Sequence, residues 1–553
     1  MPDQQALPSA RVEPARVDRD TSRPILLVGF QHQGNLGLGY LAATLKRHGY
    51  PVVTCDVECD PEAIVETAKR LDPLIVGFSL IFQFYIPQYR RLILRLREVG
   101  IGCHFTMGGH FSSLSYRRNL ELIPELDSVV RFEGELTLLE LADRIGAGQE
   151  WRGVQGIAYG DGGRIEATPM RPLLDDLDRL PYPERDFEPE TALGRRAMPL
   201  LASRGCARTC SFCSIQTFYR AAPGKIVRTR KPAAVVEEMR FLHEERAITI
   251  FLFQDDDFPL FGRVWRRWAA DFVRELHRTG LAGRVIWKMN CRADSVVPDV
   301  FADLRDAGLY LVYMGLESGN DEGLKILHKE ITVEQNLRAV QTLKQLGLMF
   351  EFGFMMFDPS STLGSIKENL DFLRAIVGDG SAAAVFCRML PYDGTPIKDA
   401  LEQAGRLRGD VVHPEYDFLE QQVTDFYREL TQILDVWGWM HGFQALSPHL
   451  NWSWNEAAIL QRLFPPLPGL NSYKEELRAI TRESNAVLFR IVDDLLEGFL
   501  RNRPHSWSAG ALARRRDAFL KRMIEARNAF VAGNQDVLMR ALHPEKAAEF
   551  AAA

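Results

Sequence analysis

The stretch Ser203–Ile215 reads Ser-Arg-Gly-Cys-Ala-Arg-Thr-Cys-Ser-Phe-Cys-Ser-Ile and follows a short strand-like apolar run. It places Cys206, Cys210 and Cys213 in a C-x3-C-x2-C array. Three thiols this close in one loop can turn toward a common point, as an iron–sulfur cluster or a metal ion requires. A structural zinc site needs a fourth ligand; no other cysteine lies within seventy residues, although a distant histidine could complete such a site. The alternative, three buried cysteines that pack as small apolar groups, leaves the spacing beside Gly205 unexplained.

The length and composition of the chain limit the classes of protein to which it can belong. The chain has 553 residues, of which 46% are hydrophobic and 25% charged, which is typical of a globular protein with several domains. The formal net charge of −6 argues against a general nucleic-acid or membrane-surface binder, and no apolar run is long enough to span a bilayer. Eight cysteines, three of them clustered, favour a reducing compartment, so we expect a cytoplasmic protein. Residues 1–22, rich in proline and charge, predict a disordered tail.

Residues 23–150 alternate short apolar runs with amphipathic helical patterns. This alternation predicts an α/β domain with a doubly wound parallel sheet. The predicted strands are Pro24–Phe30, Val52–Val57, Leu74–Leu80, Cys103–Met107 and Ser128–Phe132, and the predicted helices are Leu36–His48, Pro61–Leu71, Ile86–Val99 and Leu136–Ile145.

Glycine and small polar residues stand at the ends of these predicted strands, where ligands of open α/β sheets bind. Each glycine alone is weak evidence, because glycine also ends strands simply to turn the chain. As a set they predict a ligand site. They are Asn35, Leu36 and Gly37 after the first strand, Ser79 on the third, Gly108, Gly109 and His110 after the fourth, and Glu133 and Gly134 after the fifth.

The rest of the chain divides into three predicted segments. For residues 151–197 the sequence predicts a β-hairpin with its turn at Gly160–Gly163, followed by an extended linker that contains several prolines. In residues 198–396, six strand–helix units predict a partial (β/α)6 barrel, and residues 397–553 predict a mainly helical region that closes the barrel and selects the substrate. The predicted barrel strands are Met198–Ser203, Ile248–Gln254, Val285–Asn290, Leu309–Gly315, Met349–Phe357 and Ala384–Leu390.

Polar residues follow successive barrel strands, at the edge where barrel enzymes place their chemistry. Asp255–Asp257 follow the second strand, Arg292 the third and Glu317 the fourth. Two interpretations of the three aspartates stay open: they position a ligand, or they cap the next helix and meet solvent. We expect Cys291 and Cys387 to pack in the barrel lining rather than to bind a metal.

Aromatic residues are frequent after the barrel. Their helical spacing favours a hydrophobic core, while surplus tryptophans beside a cleft could stack on a flat or apolar substrate. They are Phe426, Tyr427, Trp437, Trp439, Phe443, Trp452 and Trp454.

The cysteine array, with Phe212 just before its last member, resembles the signature of the radical S-adenosylmethionine (radical SAM) enzymes. The resemblance implies that Cys206, Cys210 and Cys213 hold a [4Fe-4S] cluster whose open iron binds SAM. The Gly-x-Glu-Ser-Gly segment is similar to one that lines the SAM site in that superfamily. By this match Gly315, Glu317 and Ser318 line the site, Arg292 pairs with the SAM carboxylate, and Phe212 lies against the adenine. An ion pair between Glu317 and Arg292 that serves only the fold is the alternative.

The first domain, placed directly before this array, resembles the cobalamin-binding domain of the B12-dependent radical SAM class. The resemblance implies that the nine residues at its strand ends, Asn35 to Gly134, bind cobalamin. The motif Asp-x-His-x-x-Gly, whose histidine ligates cobalt in many corrinoid proteins, is absent, so the lower ligand of cobalt stays open. His32 and His110 are the histidines at strand ends. An ordinary α/β domain with another ligand or none is the alternative.

The resemblance implies a cobalamin-dependent radical SAM C-methyltransferase that methylates an unactivated carbon of a small-molecule substrate. It also implies an electron donor such as flavodoxin or ferredoxin. A radical cyclase or rearrangement enzyme with the same cofactors is the first alternative, since the aromatic C-terminal region suits a flat tetrapyrrole. A non-catalytic corrinoid or redox carrier is the second. No individual residue is assigned to catalysis beyond these cofactor sites.

Overall fold

The computed structural model describes residues 19–31, 34–260, 262–435, 446–501 and 507–542. Within these ranges the contacts divide the chain into two compact units. The first unit contains residues 19–31, 37–81 and 87–171, and the second contains residues 34–36, 82–86 and 172–542. The predicted division of the second unit into linker, barrel and helical region stays a prediction.

A seven-stranded sheet forms the centre of the first unit, in the order β2-β1-β3-β4-β5-β6-β7. Strands β1 to β5 run parallel, which confirms the predicted doubly wound parallel sheet. The predicted hairpin, β6 and β7, joins this sheet as two antiparallel strands rather than standing apart in a linker. The strands are β1 Ile25–Gly29, β2 Val52–Asp56, β3 Ile75–Ser79, β4 His104–Gly108, β5 Ser128–Val130, β6 Ile157–Asp161 and β7 Arg164–Ala167.

Helices connect the parallel strands of this sheet. Asp60 shows how local sequence sets their bounds, because its side chain caps α2 at the backbone N–H of Glu62 and Pro61 occupies the first turn. The helices are α1 Leu36–Arg47, α2 Pro61–Leu71, α3 Ile86–Glu98, α4 His110–Leu114, α5 Tyr116–Leu122 and α6 Glu135–Gly146.

The last residues of the predicted disordered tail, residues 1–22, include two that contact the first unit. The backbone N–H of Asp20 donates to the carbonyl of Gly146 at 3.0 Å, and Arg19 forms an ion pair with Asp143 on α6. These contacts fix the last residues of the predicted disordered segment to the first unit. Residues 1–18 of that segment lie outside the described residues.

The second unit contains a sheet in the order β16-β15-β14-β13-β12-β9-β8. Six of these strands run parallel, which confirms the partial barrel, and β8 adds an antiparallel edge. Its strands are β8 Glu190–Ala192, β9 Arg195–Leu200, β12 Ile248–Phe253, β13 Ile286–Cys291, β14 Leu309–Glu317, β15 Met349–Phe357 and β16 Cys387–Arg388; two short pairs lie outside it, β10 Ser203–Arg204 with β11 Arg228–Thr229, and β17 Leu407–Gly409 with β18 Pro414–Tyr416.

Two predicted barrel strands were wrong in their bounds. The first strand ends at Leu200, and Ser203 belongs to the separate short strand β10. The sixth strand contains only Cys387 and Arg388 instead of seven residues, because it pairs with β15 at just two positions.

Helices of the second unit cover the barrel and make up most of the C-terminal region, as predicted. They are α7 Ser214–Ala221, α8 Pro232–Arg246, α9 Gly262–Arg278, α10 Pro298–Asp306, α11 Asp321–Ile326, α12 Val333–Gln345, α13 Leu363–Val377, α14 Pro396–Gln403, α15 Gln421–Asp435, α16 Leu446–Leu463, α17 Leu470–Arg501, α18 Ala509–Ala532 and α19 Gln535–Leu542. Among the described helices, none is both long enough and apolar enough to cross a bilayer.

The aromatic residues after the barrel separate into core and surface. Phe426 and Trp454 are buried, as their helical spacing predicts, and the Trp454 indole donates to the Thr481 hydroxyl at 3.1 Å. Trp452, in contrast, is 52% exposed on α16. Trp437, Trp439 and Phe443 lie outside the described residues.

Candidate functional site

The loop with the three cysteines lies between β10 and α7 and is held in one conformation. Gly205 has a left-handed φ of 87°, and a Cβ there would lie 1.9 Å from the carbonyl oxygen of Ile226, so only glycine fits. The backbone N–H of Cys213 donates to the carbonyl of Cys210 at 3.2 Å. Helix α7 begins directly after Cys213. These contacts fix the backbone of the loop around its three thiols.

All three thiols are free, and they are close enough for their charges to interact. Burial raises the pKa of Cys206 to about 12 and that of Cys213 to about 11, and neighbouring thiolates add to both shifts. Burial also raises the pKa of Cys210. Three thiolates in this loop therefore need a positively charged partner, which a bound iron cluster supplies.

The donor set of the loop fits an iron–sulfur cluster, because thiolates are the ligands of such clusters. Among the described residues, no three His, Cys, Asp or Glu side chains converge on a single ion. A cubane cluster does not require such convergence, because each cysteine ligates a different iron. The residues present thus fit the [4Fe-4S] cluster that the sequence predicts.

Two of the three aspartates after β12 hold the cysteine loop. Asp255 is buried and accepts hydrogen bonds from the Ser203 hydroxyl at 2.5 Å and from the backbone N–H of Ala202 at 3.2 Å. Asp256 accepts from the backbone N–H of Gly205 at 2.9 Å. Burial raises the pKa of Asp255 to about 7, even though these donors favour the charged form. The interpretation of Asp255 as a solvent-facing helix cap was wrong.

The third aspartate, Asp257, differs from the other two. Its Oδ1 atom is sealed from solvent and accepts no hydrogen bond from the described residues. Burial raises its pKa to about 6, against the opposing influence of the Arg292 and Arg208 guanidinium groups. This carboxyl group therefore lies in the same charged environment as the cysteine loop.

Arg292 lies against the cysteine loop rather than against Glu317. Its guanidinium is 3.8 Å from the Sγ of Cys210, pairs with Asp294 at 3.0 Å and donates to the carbonyl of Lys329 at 2.6 Å. The predicted alternative, an ion pair between Arg292 and Glu317, is absent from the described contacts of both residues. The structure thus has a cation beside one of the three predicted cluster ligands.

Glu317 ends β14 in a left-handed conformation with φ of 64°. Its Oε1 accepts from the Lys329 ammonium at 2.9 Å, and both side chains are buried. A Cβ at Gly315 would lie 2.2 Å from this Oε1 and 2.7 Å from the Lys329 nitrogen, so glycine there leaves room for the ion pair. The Gly-x-Glu-Ser-Gly segment thus encloses a buried charge pair.

Ser318 serves the turn after β14 more directly than it serves a ligand. It is fully buried, its hydroxyl donates to Asn369 at 3.1 Å, and it accepts from the backbone N–H of Asn320 at 3.3 Å. Phe212 is half-buried in the cysteine loop, and its ring centroid lies 6.0 Å from the Lys329 ammonium. Sequence reasoning missed Lys329, because a single lysine twelve residues after Glu317 resembles any surface lysine.

Tyr313 and Cys387 are two exposed residues of the barrel that lie near Glu317. Tyr313 is 40% exposed although β14 is flanked by strands on both sides, and Cys387 is also exposed. Surrounding protein raises the pKa of each to about 12, with further contributions from Glu317 to both groups. Both side chains are therefore neutral hydrogen-bond donors at physiological pH. The expectation that Cys387 packs in the barrel lining was wrong, whereas Cys291 is buried as expected.

The predicted cobalamin residues lie at or after the carboxyl ends of parallel strands in the first sheet, whose strand order reverses between β1 and β3. Gly109 has a φ of 106°, and a Cβ there would lie 2.3 Å from the Leu80 carbonyl oxygen, so the close approach requires glycine. The others occupy the ends of strands or the starts of helices: Asn35, Leu36 and Gly37 at the start of α1, Ser79 and Gly108 at the ends of β3 and β4, His110 at the start of α4, and Glu133 and Gly134 before α6.

His110 is the one strand-end histidine that the structure describes, since His32 lies outside the described residues. Burial lowers the pKa of His110 to about 4, so its imidazole is neutral at physiological pH. Its position next to Gly109 places it at the predicted ligand edge of the first sheet.

Comparison with known families gives two matches that follow the two units. Residues 25–142 match the B12 binding domain family, and residues 200–373 match the radical SAM superfamily. The second match contains the three cysteines, Arg292 and Glu317.

Two curated relatives match this chain over about two thirds of its length. An uncharacterised methyltransferase of Pyrococcus horikoshii, PH0819, is 29% identical over 65% of this chain and 76% of its own length. An anaerobic magnesium-protoporphyrin IX monomethyl ester cyclase of Rubrivivax gelatinosus is 31% identical over 66% of each chain. The solved structure of OxsB, a cobalamin-dependent SAM radical enzyme with aqua-cobalamin bound, has a TM-score of 0.68 at 20% identity and covers 92% of this chain and 80% of its own.

Proposed function

This chain belongs to the cobalamin-dependent radical SAM enzymes, and on that premise we propose that it methylates an unactivated carbon of a small-molecule substrate. When bound, the cluster with SAM supplies a radical that removes a hydrogen atom, and cobalamin supplies the methyl group. The protein itself binds and orients these groups and keeps water away from them.

The proposed binding of the cluster and of SAM rests on the cysteine loop and on two charged residues, Arg292 and Glu317. Cys206, Cys210 and Cys213 hold the cluster, and three ligands for four irons leave one iron for SAM. We propose that Arg292 binds the SAM carboxylate, because its guanidinium lies 3.8 Å from the Cys210 sulfur. We propose that Glu317 binds the amino group through the oxygen that Lys329 does not occupy.

The substrate side of the site is proposed to include Tyr313 and Cys387. Both are exposed neutral donors, and Glu317 influences the pKa of each. Neutral donors of this kind can bind a carbonyl, ether or hydroxyl oxygen of a substrate without adding charge beside the ion pairs.

The observation that favours methylation is the length of the match to the methyltransferase relative. That match covers 76% of the relative, whereas the match to the cyclase covers 66%. Cyclisation remains the second candidate, because the cyclase has the higher identity of the two, at 31%.

We further propose that a reduced flavodoxin or ferredoxin supplies the electron for the cluster, and that the protein works in the cytoplasm. Eight free cysteines and an oxygen-sensitive cluster both require a reducing compartment. None of the reactions considered needs a nucleic acid partner, and the negative net charge of −6 is consistent with that.

A labelling experiment tests methylation against the alternatives. The reconstituted enzyme, loaded with cobalamin, is incubated anaerobically with a reductant, methyl-deuterated SAM and a metabolite extract of the source cells. A methyltransferase yields 5′-deoxyadenosine together with a metabolite that has gained a labelled methyl group. An unlabelled product that has lost hydrogen supports the cyclase instead. Absence of 5′-deoxyadenosine under conditions where the cluster is reduced contradicts both enzymes and supports a carrier.

A further inference from the structure

We propose that Lys329 is a positioning residue that prepares Glu317 for the amino group of SAM. It fixes one carboxylate oxygen of Glu317 and leaves the other without a donor among the described residues. This inference rests on the proposed SAM site but not on which reaction follows SAM binding.

Lys329 is held more firmly than an ordinary lysine. Its side chain is only 6% exposed, and its ammonium lies 2.9 Å from Oε1 of Glu317. Its own carbonyl accepts from Arg292 at 2.6 Å, and its backbone N–H donates to Leu324 at 2.8 Å. Arg292 and Lys329 therefore form one connected unit with Glu317.

The backbone around Lys329 is strained on both sides. His328 and Glu330 have left-handed φ values of 49° and 54°. Non-glycine residues adopt this region at a cost and keep it only where the surrounding contacts impose it. The strain turns the side chain of Lys329 inward, while its neighbours on either side are exposed.

The second oxygen of Glu317 lies near Gly353. A Cβ at Gly353 would lie 3.6 Å from Oε2 of Glu317, and no donor among the described residues bonds this oxygen. The Glu317 side chain is 12% exposed, and Oε2 is not among the described polar atoms that are both sealed from solvent and without a partner. This oxygen can therefore accept from an ammonium group of a ligand, and the amino group of SAM has the required chemistry.

The ammonium of Lys329 is the charged partner of Glu317 among the described contacts. Without Lys329, the Glu317 carboxylate loses this partner and the contact that fixes its orientation.

The test compares SAM affinity in Lys329→Met, Lys329→Arg, Glu317→Gln and the double variant Lys329→Met/Glu317→Gln, all after anaerobic reconstitution. We expect Lys329→Met to bind SAM about tenfold to a hundredfold more weakly, since a charge-assisted contact is lost from Glu317. Lys329→Arg retains the positive charge and should therefore recover part of the SAM affinity. The recovery should be incomplete, because the space beside Gly315 is too narrow for a guanidinium group in the position of the ammonium.

The double variant separates positioning from a structural role. If Lys329 acts through Glu317, the double variant binds SAM no more weakly than Glu317→Gln alone. The double variant also lacks an unpaired buried charge, so it keeps the test usable if Lys329→Met alone unfolds. Lys325→Met, an exposed lysine at the end of α11, is the matched control and should bind SAM normally.

Two results would overturn the proposal. One is wild-type SAM affinity in folded Lys329→Met with a full complement of iron. The other is an additive loss in the double variant, which means that the two residues act separately. Because only binding is measured, a failure to find a methylated product does not affect either outcome.

Discussion

Asp256 accepts a hydrogen bond from the backbone N–H of Gly205 at 2.9 Å, which joins the end of the second barrel strand to the loop with the three cysteines. Asp255 adds two further bonds to the same loop, from Ala202 and Ser203. A segment that sequence alone leaves ambiguous therefore holds the conformation on which the cluster site depends.

Replacing Asp255 by alanine should loosen the cysteine loop. The change leaves the Ser203 hydroxyl and the Ala202 N–H buried without an acceptor, at about 1–3 kcal/mol for each group. We expect a lower thermal midpoint and a lower iron content after reconstitution. Asp161→Ala, in the exposed hairpin turn, is the control and should change neither quantity. Full iron content in a stable Asp255→Ala protein would show that the cysteine loop keeps its conformation without the hydrogen bonds to Asp255.

A second prediction concerns the buried carboxylate of Glu238, which joins α8 to two arginines. Glu238 pairs with Arg185 at 2.7 Å and Arg230 at 2.5 Å, and all three side chains are buried. Removing the carboxylate leaves two buried guanidinium groups without their partner, so Glu238→Ala should destabilise the second unit by about 3–5 kcal/mol. Thermal unfolding measures this, with Glu237→Ala on the exposed face of the same helix as the control.

The ion pairs of Glu238 with Arg185 and Arg230 also predict that the stability of the protein depends on pH. Burial acts to raise the pKa of Glu238, but Arg230 and Arg185 outweigh it, so the pKa is lowered from its ordinary value of 4.5. A lowered pKa contributes stability above the unfolded value, and this contribution is lost as the pH falls through the folded value. The stability difference between wild type and Glu238→Gln should be constant near neutral pH and shrink below pH 4.5. A difference that grows on acidification would contradict the pairing.

A third prediction concerns the lower face of cobalt. The motif Asp-x-His-x-x-Gly is absent, so we expect no protein histidine on cobalt in the reduced, cobalamin-loaded protein. Electron spin resonance of the cobalt(II) form measures this through nitrogen hyperfine splitting. Splitting that disappears in His110→Ala or in His32→Ala would identify a histidine ligand and show that the motif argument is wrong.

Sequence predicts features that depend on local patterns. The parallel strands of both sheets were predicted because each is a short apolar run between turns, as Met349–Phe357 shows by matching β15 residue for residue. The sixth barrel strand was predicted too long, because Ala384–Phe386 are apolar but do not pair with β15. A run of apolar residues predicts that a segment is buried. A buried segment at the edge of a sheet need not form hydrogen bonds with the neighbouring strand.

Sequence does not predict partners that meet only in the folded chain. Glu317 was identified from its motif, but Lys329 pairs with it from another element and no spacing marks that lysine. Arg292 was expected near SAM or Glu317, and the structure places it against Cys210. Cys387 was expected to pack in the barrel lining, yet it is exposed. Each of these depends on tertiary contacts rather than on local pattern.

The most direct test of the cluster assignment compares SAM cleavage in five anaerobically reconstituted proteins: wild type, the alanine variants of Cys206, Cys210 and Cys213, and Cys291→Ala. Iron content and 5′-deoxyadenosine are measured with a reductant and SAM alone, so no substrate has to be known. We predict about four irons and 5′-deoxyadenosine in wild type and Cys291→Ala, and no 5′-deoxyadenosine in the three loop variants. Undiminished cleavage of SAM by Cys210→Ala would contradict the account.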